Sequence, residues 1–550
     1  MSEPGNIADA LAKQAHTRPE ADAILEPIRR RGRDVPEYKV YSYRELNQAA
    51  DEIALGLIEY GFTPGSRVAV MVKPGFDLFA LAFGLFRAGL VPVLIDPGIG
   101  IKRMGRCLEE AQVVGFCGIP SAHTARILFR WARGAVERLV TVGRRWFWGG
   151  QTLHNLRRSG RASKAELPMT RLDDVAAILF TSGSTGSPKG VIYQMRHFLG
   201  QVELLGRIYG IEPGEVDLPT FPLFALFDPA LGMTTIIPFM DPTKPAKADP
   251  QILAATIQRY KITNMFGSPA LLNTLSRHCV ANQTHLSSLR RVISAGAAVP
   301  SQTIARLQKY LPVGALIHTP YGATECLPVA TADTSLLLGV AQRKTAAGAG
   351  VCVGSIVEPN DVRIIQITDE PIDAWSDDLE LARGEIGEIT VIGPTTTQGY
   401  LNRPKADSDS KIRDPRTASN IHRMGDVGYI DDEGLLWFCG RKRHRVVGRR
   451  KTYFTVPIEA VFNPHPAVFR SALIGREVDG EIRPVLCVEV EPSSPQDWST
   501  ICDELAALAA SSDVAQDVTL FFRHDGFPVD IRHNAKIERE QLRDWVASRR

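Results

Sequence analysis

Val175-Ala-Ala-Ile-Leu-Phe-Thr-Ser-Gly-Ser-Thr-Gly-Ser-Pro-Lys-Gly190 runs from a short apolar stretch into a loop of hydroxyls and glycines that ends in one lysine. Residues 175–180 read as a buried strand, and the loop that follows is suited to a polyphosphate. Glycines let the backbone come close to phosphate oxygens, N–H and hydroxyl groups donate to them, and Lys189 adds positive charge. Candidate phosphate contacts are therefore Thr181, Ser182, Gly183, Ser184, Thr185, Gly186 and Lys189. A Walker A loop needs Ser or Thr after its lysine, and here Gly190 follows. A flexible Ser/Gly linker is the competing reading, but linkers seldom sit behind a buried strand and carry Pro-Lys-Gly.

Working outward, the composition bounds the class. The chain has 550 residues, 44% of them hydrophobic, which is enough for two or more cored domains. A net charge of +3 is too balanced to argue for nucleic acid. Eight scattered cysteines with no Cys-x-x-Cys pair suit a reducing cytoplasm and offer no zinc site. No basic-then-apolar signal segment opens the sequence, and the longest apolar run, 78–95, is broken by Arg87 and Pro92. The expectation is a cytoplasmic protein with no transmembrane segment.

Helix and strand signals alternate over the first 150 residues. Ser42 and Glu45 form a capping box ahead of Leu46, Ala49, Ala50, Ile53 and Leu57 at helical spacing. Strands are expected at 68–72 and 91–95 with a helix between them from about Asp77, then again at 261–266 and 291–294. That order favours a largely parallel sheet covered on both faces. After about residue 384 the pattern turns β-rich, with a hairpin expected around Asp432-Glu-Gly434. The basic run Gly440-Arg-Lys-Arg-His-Arg445 reads as a boundary or as a solvated surface. Residues 126–150 interleave Arg126, Arg130, Arg133, Arg144 and Arg145 with Phe129, Trp131, Trp146, Phe147 and Trp148. Half-buried packing and a docking surface are both open readings of that segment.

Four further segments carry a resemblance: Ser294-Ala-Gly-Ala-Ala-Val-Pro300, Tyr321-Gly-Ala-Thr-Glu325, Met424-Gly-Asp-Val-Gly-Tyr429 with Gly440-Arg441, and Asn534-Ala-Lys-Ile537. With the 181–189 loop, in this order, the chain resembles the adenylate-forming superfamily of acyl-CoA synthetases, peptide-synthetase adenylation domains and luciferases. The resemblance spans roughly residues 8–545. It implies an α/β fold with a large multi-sheet N-terminal domain, residues 1–442, that holds ATP and the acyl substrate. A small mobile α+β C-terminal domain, residues 443–550, would carry the catalytic lysine. Tyr321 offers a flat face to adenine, Thr324 a donor to the α-phosphate, and Glu325 a hard oxygen ligand for Mg²⁺. Asp426 suits the ribose hydroxyls, with Arg441 beside it. By resemblance Gly296, Ala297 and Gly322 line the adenylate. Lys536 is the lysine that neutralises charge as the carboxylate attacks phosphorus.

The late motif departs from the superfamily's pattern. Arg443 and His444 stand where two acidic residues are usual, Arg450 stands at a loop glycine, and Phe454 stands at a glutamate. The part that serves CoA is thus altered while the adenylation motifs remain. Overall texture, including Phe221-Pro-Leu-Phe-Ala-Leu-Phe227, is similar to the branch that acts in bacterial olefin biosynthesis. That likeness implies adenylation of a long-chain 2-alkyl-3-hydroxy fatty acid, attack by its own 3-hydroxyl, and closure to a β-lactone. It also implies association with thiolase-like, reductase and lactone-decarboxylase enzymes. His318 is the first candidate base for the hydroxyl, and Phe221, Phe224 and Phe227 are candidate walls of an acyl pocket. A long-chain acyl-CoA synthetase, a carrier-protein loader and a non-catalytic nucleotide-binding scaffold remain as alternatives.

Overall fold

The computed structural model describes residues 5–28, 35–181, 188–417, 419–529 and 537–549. Two large sheets dominate the described residues. The smaller has seven strands, and all its neighbours are parallel except the last pair, Val175–Thr181 and Lys189–Gln194. The expected strands are there as Arg67–Met71 and Val91–Ile95, with the helix Phe76–Arg87 between them. The apolar run at 78–95 is thereby spent on a core helix and a core strand. No helix among the described residues is long and apolar enough to cross a membrane.

The second sheet has fourteen strands. Its parallel part includes Val216–Pro219, Asn264–Phe266, Arg291–Ile293 and Leu316–Ala323. It turns antiparallel at Cys326–Asp333, so the β-rich region starts near residue 326, not 384. The strand expected at 261–266 begins only at Asn264, because Lys261 adopts a positive φ of 50° that breaks the extended backbone. The hairpin near 432 is present between Asn420–Ile430 and Leu435–Arg441.

Beyond residue 445 the chain has cores of its own. Helices Thr455–Phe462 and Trp498–Ala510 cover one face of the sheet Val468–Val478, Glu481–Val490 and Phe521–Arg523. Leu542 and Val546 of the helix Arg539–Ala547 close the other face. This unit leans on 345–349, where Gly348 has φ 91° and a Cβ would meet Val514 Cγ2 at 2.4 Å.

The basic run is mostly half-buried and ion-paired, with Arg443 left exposed. Arg441 pairs with Asp426 at 2.8 Å and Lys442 with Glu388 at 3.1 Å. Arg443 pairs with Glu540 at 3.0 Å and Arg445 with Asp369 at 2.6 Å. Segment 126–150 divides between the two readings. Trp131 is buried, and Trp148 stacks on His123 and donates to Thr141 at 2.9 Å. Phe129, Trp146 and Phe147 are 50%, 54% and 80% exposed.

Candidate active site

Parallel sheets offer ligands the crevice beyond the carboxyl ends of their strands. The candidate residues that the structure describes gather there. Thr181 ends its strand and Lys189 begins the next, paired in register across the turn. Ser182, Gly183, Ser184, Thr185 and Gly186 lie outside the described residues, as does Lys536. Thr324 and Glu325 form the two-residue turn between strands Leu316–Ala323 and Cys326–Asp333. Gly322 permits that turn: a Cβ there would lie 2.7 Å from the Cys326 carbonyl oxygen. Gly296 and Ala297 follow the neighbouring strand Arg291–Ile293, and Gly296 has φ 95°. The Ser294 N–H donates to the His318 carbonyl at 2.9 Å, which aligns this loop with Tyr321.

The Tyr321 hydroxyl donates to Asp426 Oδ2 at 2.7 Å, and Arg441 grips Asp426 Oδ1. The three residues form one triad across two distant segments, with Asp426 buried and Tyr321 and Arg441 half-buried. Burial and the Asp426 carboxylate push the Tyr321 phenol well up, so it stays a neutral donor. Asp426 raises the Arg441 pKa by direct attraction.

Several residues that sequence reasoning passed over hold the turn. The Tyr400 hydroxyl donates to Glu325 Oε1 at 2.6 Å, and its ring lies 4.9 Å beneath the Lys189 ammonium. Tyr400 is carried there because 399–401 zips onto the second loop strand: Leu401 N–H donates to the Gly190 carbonyl and Ile192 N–H to that of Gly399. Thr397 donates its N–H (2.8 Å) and its hydroxyl (3.1 Å) to the Glu325 carbonyl. Tyr193 donates to the Thr324 carbonyl. Lys411 is buried and donates to the Thr397 carbonyl; burial pulls its pKa down to about 8 against the attraction of Glu325. The run of three threonines at 395–397 was the only sequence signal for this layer.

The site fits a nucleotide-borne Mg²⁺. Glu325 supplies one oriented carboxylate, and no cluster of three His, Cys, Asp or Glu exists among the described residues. Mg²⁺ is commonly held this way, by one carboxylate together with phosphate oxygens and water.

An apolar cavity adjoins the site. Phe224 and Phe227 wall it, and Ala295 and Pro320 connect it to the Gly296 loop and to Tyr321. Phe221 packs on Phe224 at 5.1 Å and is absent from the lining, so two of the three candidate phenylalanines face the space. His318 sits behind the wall, its ring 5.0 Å from Tyr209 and its pKa lowered by burial. In the late motif, Arg450 stands in an exposed turn between Val446–Val447 and Thr452–Tyr453, and Phe454 precedes the helix Thr455–Phe462. Glu459 is tied to Arg539 at 2.6 Å.

Comparison with known proteins agrees with this geometry. The chain is 50% identical over 550 residues to the olefin beta-lactone synthetase of Xanthomonas campestris pv. campestris, covering 99% of this chain and 98% of that one. It is equally identical to the olefin beta-lactone synthetase of Stenotrophomonas maltophilia, covering 100% and 99%. Among solved structures, the amide bond synthetase McbA from Marinactinospora thermotolerans superposes with a TM-score of 0.78 at 21% identity, over 98% of this chain and 100% of that one. Residues 11–401 match the AMP-binding enzyme family model. The chain therefore belongs to the AMP-binding enzyme family, with the fold of the adenylate-forming enzymes.

Proposed function

We propose that the chain is an ATP-dependent β-lactone synthetase acting on a long-chain 2-alkyl-3-hydroxy fatty acid. The observation that carries this reading is 50% identity along nearly the whole length to relatives named olefin beta-lactone synthetase. In the first step the substrate carboxylate attacks the α-phosphorus of ATP and pyrophosphate leaves. Thr181–Gly186 and Lys189 hold the phosphates, Thr324 donates to the α-phosphate, and Lys536 neutralises the charge that develops. Tyr321, Gly322, Gly296 and Ala297 hold the adenine side, and Asp426 with Arg441 takes the ribose. Glu325 would hold Mg²⁺, which supplies further charge neutralisation at the phosphates.

In the second step the 3-hydroxyl attacks the activated carbonyl and AMP leaves. The reaction needs no external acceptor, only a pocket that holds the hydroxyl near attack geometry and excludes water. Support comes from the apolar cavity beside Ala295 and Pro320 and from the altered late motif, where Arg450 occupies the usual glycine position. The chain divides at 442/443, with 443–550 as the moving part; separate hydrophobic cores favour that division. We further propose a cytoplasmic location and transfer of the reactive lactone within a complex of thiolase-like, reductase and lactone-decarboxylase enzymes.

Pyrophosphate exchange tests the reading. The protein should exchange labelled pyrophosphate into ATP with the 3-hydroxy acid alone, and Lys536→Ala should abolish the exchange. Exchange that leads to product only after CoA is added would return the protein to the acyl-CoA ligases.

A further inference from the structure

The apolar cavity contains a feature the two-step scheme above does not use. Asp217, in the strand Val216–Pro219, and Asp228, at the start of the turn 228–231, both line it. Both are buried, at 7% and 5% exposure, and they flank Thr235: Asp217 is its partner in the strand register, and Asp228 accepts from its hydroxyl. Two neighbouring carboxyls in a buried apolar wall favour holding one proton between them, because two like charges there repel. Among the described residues neither has an ion-pair partner; the nearby Arg291 is committed to Glu215 at 2.8 Å. Thr235 donates to Asp228 Oδ2 at 3.0 Å and fixes that carboxyl. Burial first, and then repulsion between the two groups, raises Asp228 well above the carboxylate range, and burial raises Asp217 as well.

The rest of the lining sets this pair apart. Its walls are carbon-rich: Leu205, Phe224, Phe227, Leu231, Met233 and Phe266. The other polar side chains there are already engaged. Asn264 donates to Glu215 and to Thr263 and accepts from Arg291, and the Tyr209 hydroxyl lies 3.4 Å from Thr331 Oγ1. The acidic pair is what remains for a polar group on an otherwise apolar ligand. Ile293, Ala295 and Pro320 line the same cavity, so it reaches the loop and strand end that would hold the acyl-adenylate. An uncompensated buried carboxyl pair is costly to a fold, and a pocket for hydrocarbon has no need of it.

We propose that the Asp217–Asp228 pair receives the substrate's 3-hydroxyl and is the base for ring closure, an assignment that rests on the β-lactone reading above. The pair enters the step with one proton and one negative charge. The hydroxyl oxygen forms its bond to the carbonyl carbon, and the hydroxyl proton passes to the pair's carboxylate. The bond from that carbon to the phosphate oxygen breaks, and AMP leaves with the electron pair. The now neutral pair returns its proton to solvent when product departs. A carboxylate whose proton affinity is raised by an apolar site is a better match to a hydroxyl than one in water.

The test separates the two half-reactions in Asp228→Asn and Asp217→Asn. Each variant should slow lactone formation by roughly 10²–10⁴-fold while slowing pyrophosphate exchange far less, so that acyl-adenylate accumulates. Wild type should also show a lower KM in exchange for the 3-hydroxy acid than for its 3-deoxy analogue, a preference that Asp228→Asn erases. Thr235→Val, which leaves both carboxyls in place, should give the same split in smaller measure and serves if an aspartate variant fails to fold. Variants that form lactone at the wild-type rate overturn the assignment. So do variants that lose exchange and lactone in parallel, as a purely structural pair would. A wild-type protein that makes no lactone overturns the β-lactone reading and this assignment together; a wild type that does, with no split in the variants, overturns this assignment alone.

Discussion

Tyr321 and Asp426 lie 105 residues apart in the chain and are joined by a 2.7 Å hydrogen bond from the phenol to the carboxylate. Arg441 holds the other carboxylate oxygen at 2.8 Å, so one aspartate orients both the ring and the guanidinium. Tyr321→Phe keeps the ring and removes the bond. A net hydrogen bond contributes about 1 kcal/mol, so KM for ATP should rise about 5-fold in the exchange assay with kcat little changed. Asp426→Asn removes the buried charge that Tyr321 and the partly exposed Arg441 both face, and kcat/KM should fall by about 100-fold. Equal losses in the two variants would contradict the dominant role given to Asp426.

The Arg423–Glu388 pair is a separate structural anchor. Both side chains are 1% exposed and 2.7 Å apart, and Lys442 adds a third contact at 3.1 Å. Removing one partner of such a pair typically costs about 3–5 kcal/mol. Glu388→Gln should therefore lower the denaturant midpoint of the large N-terminal unit clearly. Arg443→Ala breaks a half-exposed pair with Glu540 and should shift stability by less than about 1 kcal/mol.

His197 gives the fold a pH dependence. Its Nδ1 accepts the Gln194 N–H at 2.9 Å, a bond that requires an unprotonated nitrogen. Burial, with Arg196 and Lys411 nearby, lowers its pKa to about 4. The unfolded chain binds the proton near pH 6.5, so this contribution is whole above that pH and is lost as pH falls toward 4. At full effect it amounts to about 3 kcal/mol. The Tm advantage of wild type over His197→Gln should shrink steadily between pH 7 and pH 4.5; a constant difference would contradict a neutral His197.

Segment 126–150 offers a surface test. Trp146 and Phe147 are exposed, whereas Trp131 is buried and Trp148 is stacked and hydrogen-bonded. The double variant Trp146→Ala/Phe147→Ala should keep its Tm and its exchange activity while co-purifying less with the proposed thiolase-like, reductase and lactone-decarboxylase partners. Trp148→Ala should lower Tm, because it removes a ring stack and a part-buried hydrogen bond. Unchanged co-purification of the double variant would remove the docking role.

Local patterns were legible before any coordinates. The strand expected at 175–180, which runs one residue further to Thr181, the strand Val91–Ile95 and the Ser42–Glu45 capping box all follow from short-range periodicity and side-chain chemistry. The motif at 321–325 was legible only as chemistry; that Thr324 and Glu325 sit at the tip of a turn comes from the structure. What stayed hidden depends on long-range pairing. Tyr400 reaches Glu325 only because 399–401 joins the strand Lys189–Gln194, and Lys411 is an unremarkable lysine until that layer encloses it. Asp217 and Asp228 look like ordinary strand-end and turn aspartates in sequence; the proximity of the 228–231 turn to the parallel strands makes them a pair. Arg450, placed at a loop glycine of the superfamily pattern, occupies an exposed turn without a positive φ.

The central claim is tested most directly by proton NMR of the products formed from Mg-ATP and a 2-alkyl-3-hydroxy fatty acid, with no CoA present. The account predicts a β-lactone and AMP in equal amounts. AMP formation with no lactone, and a thioester once CoA is supplied, would contradict it.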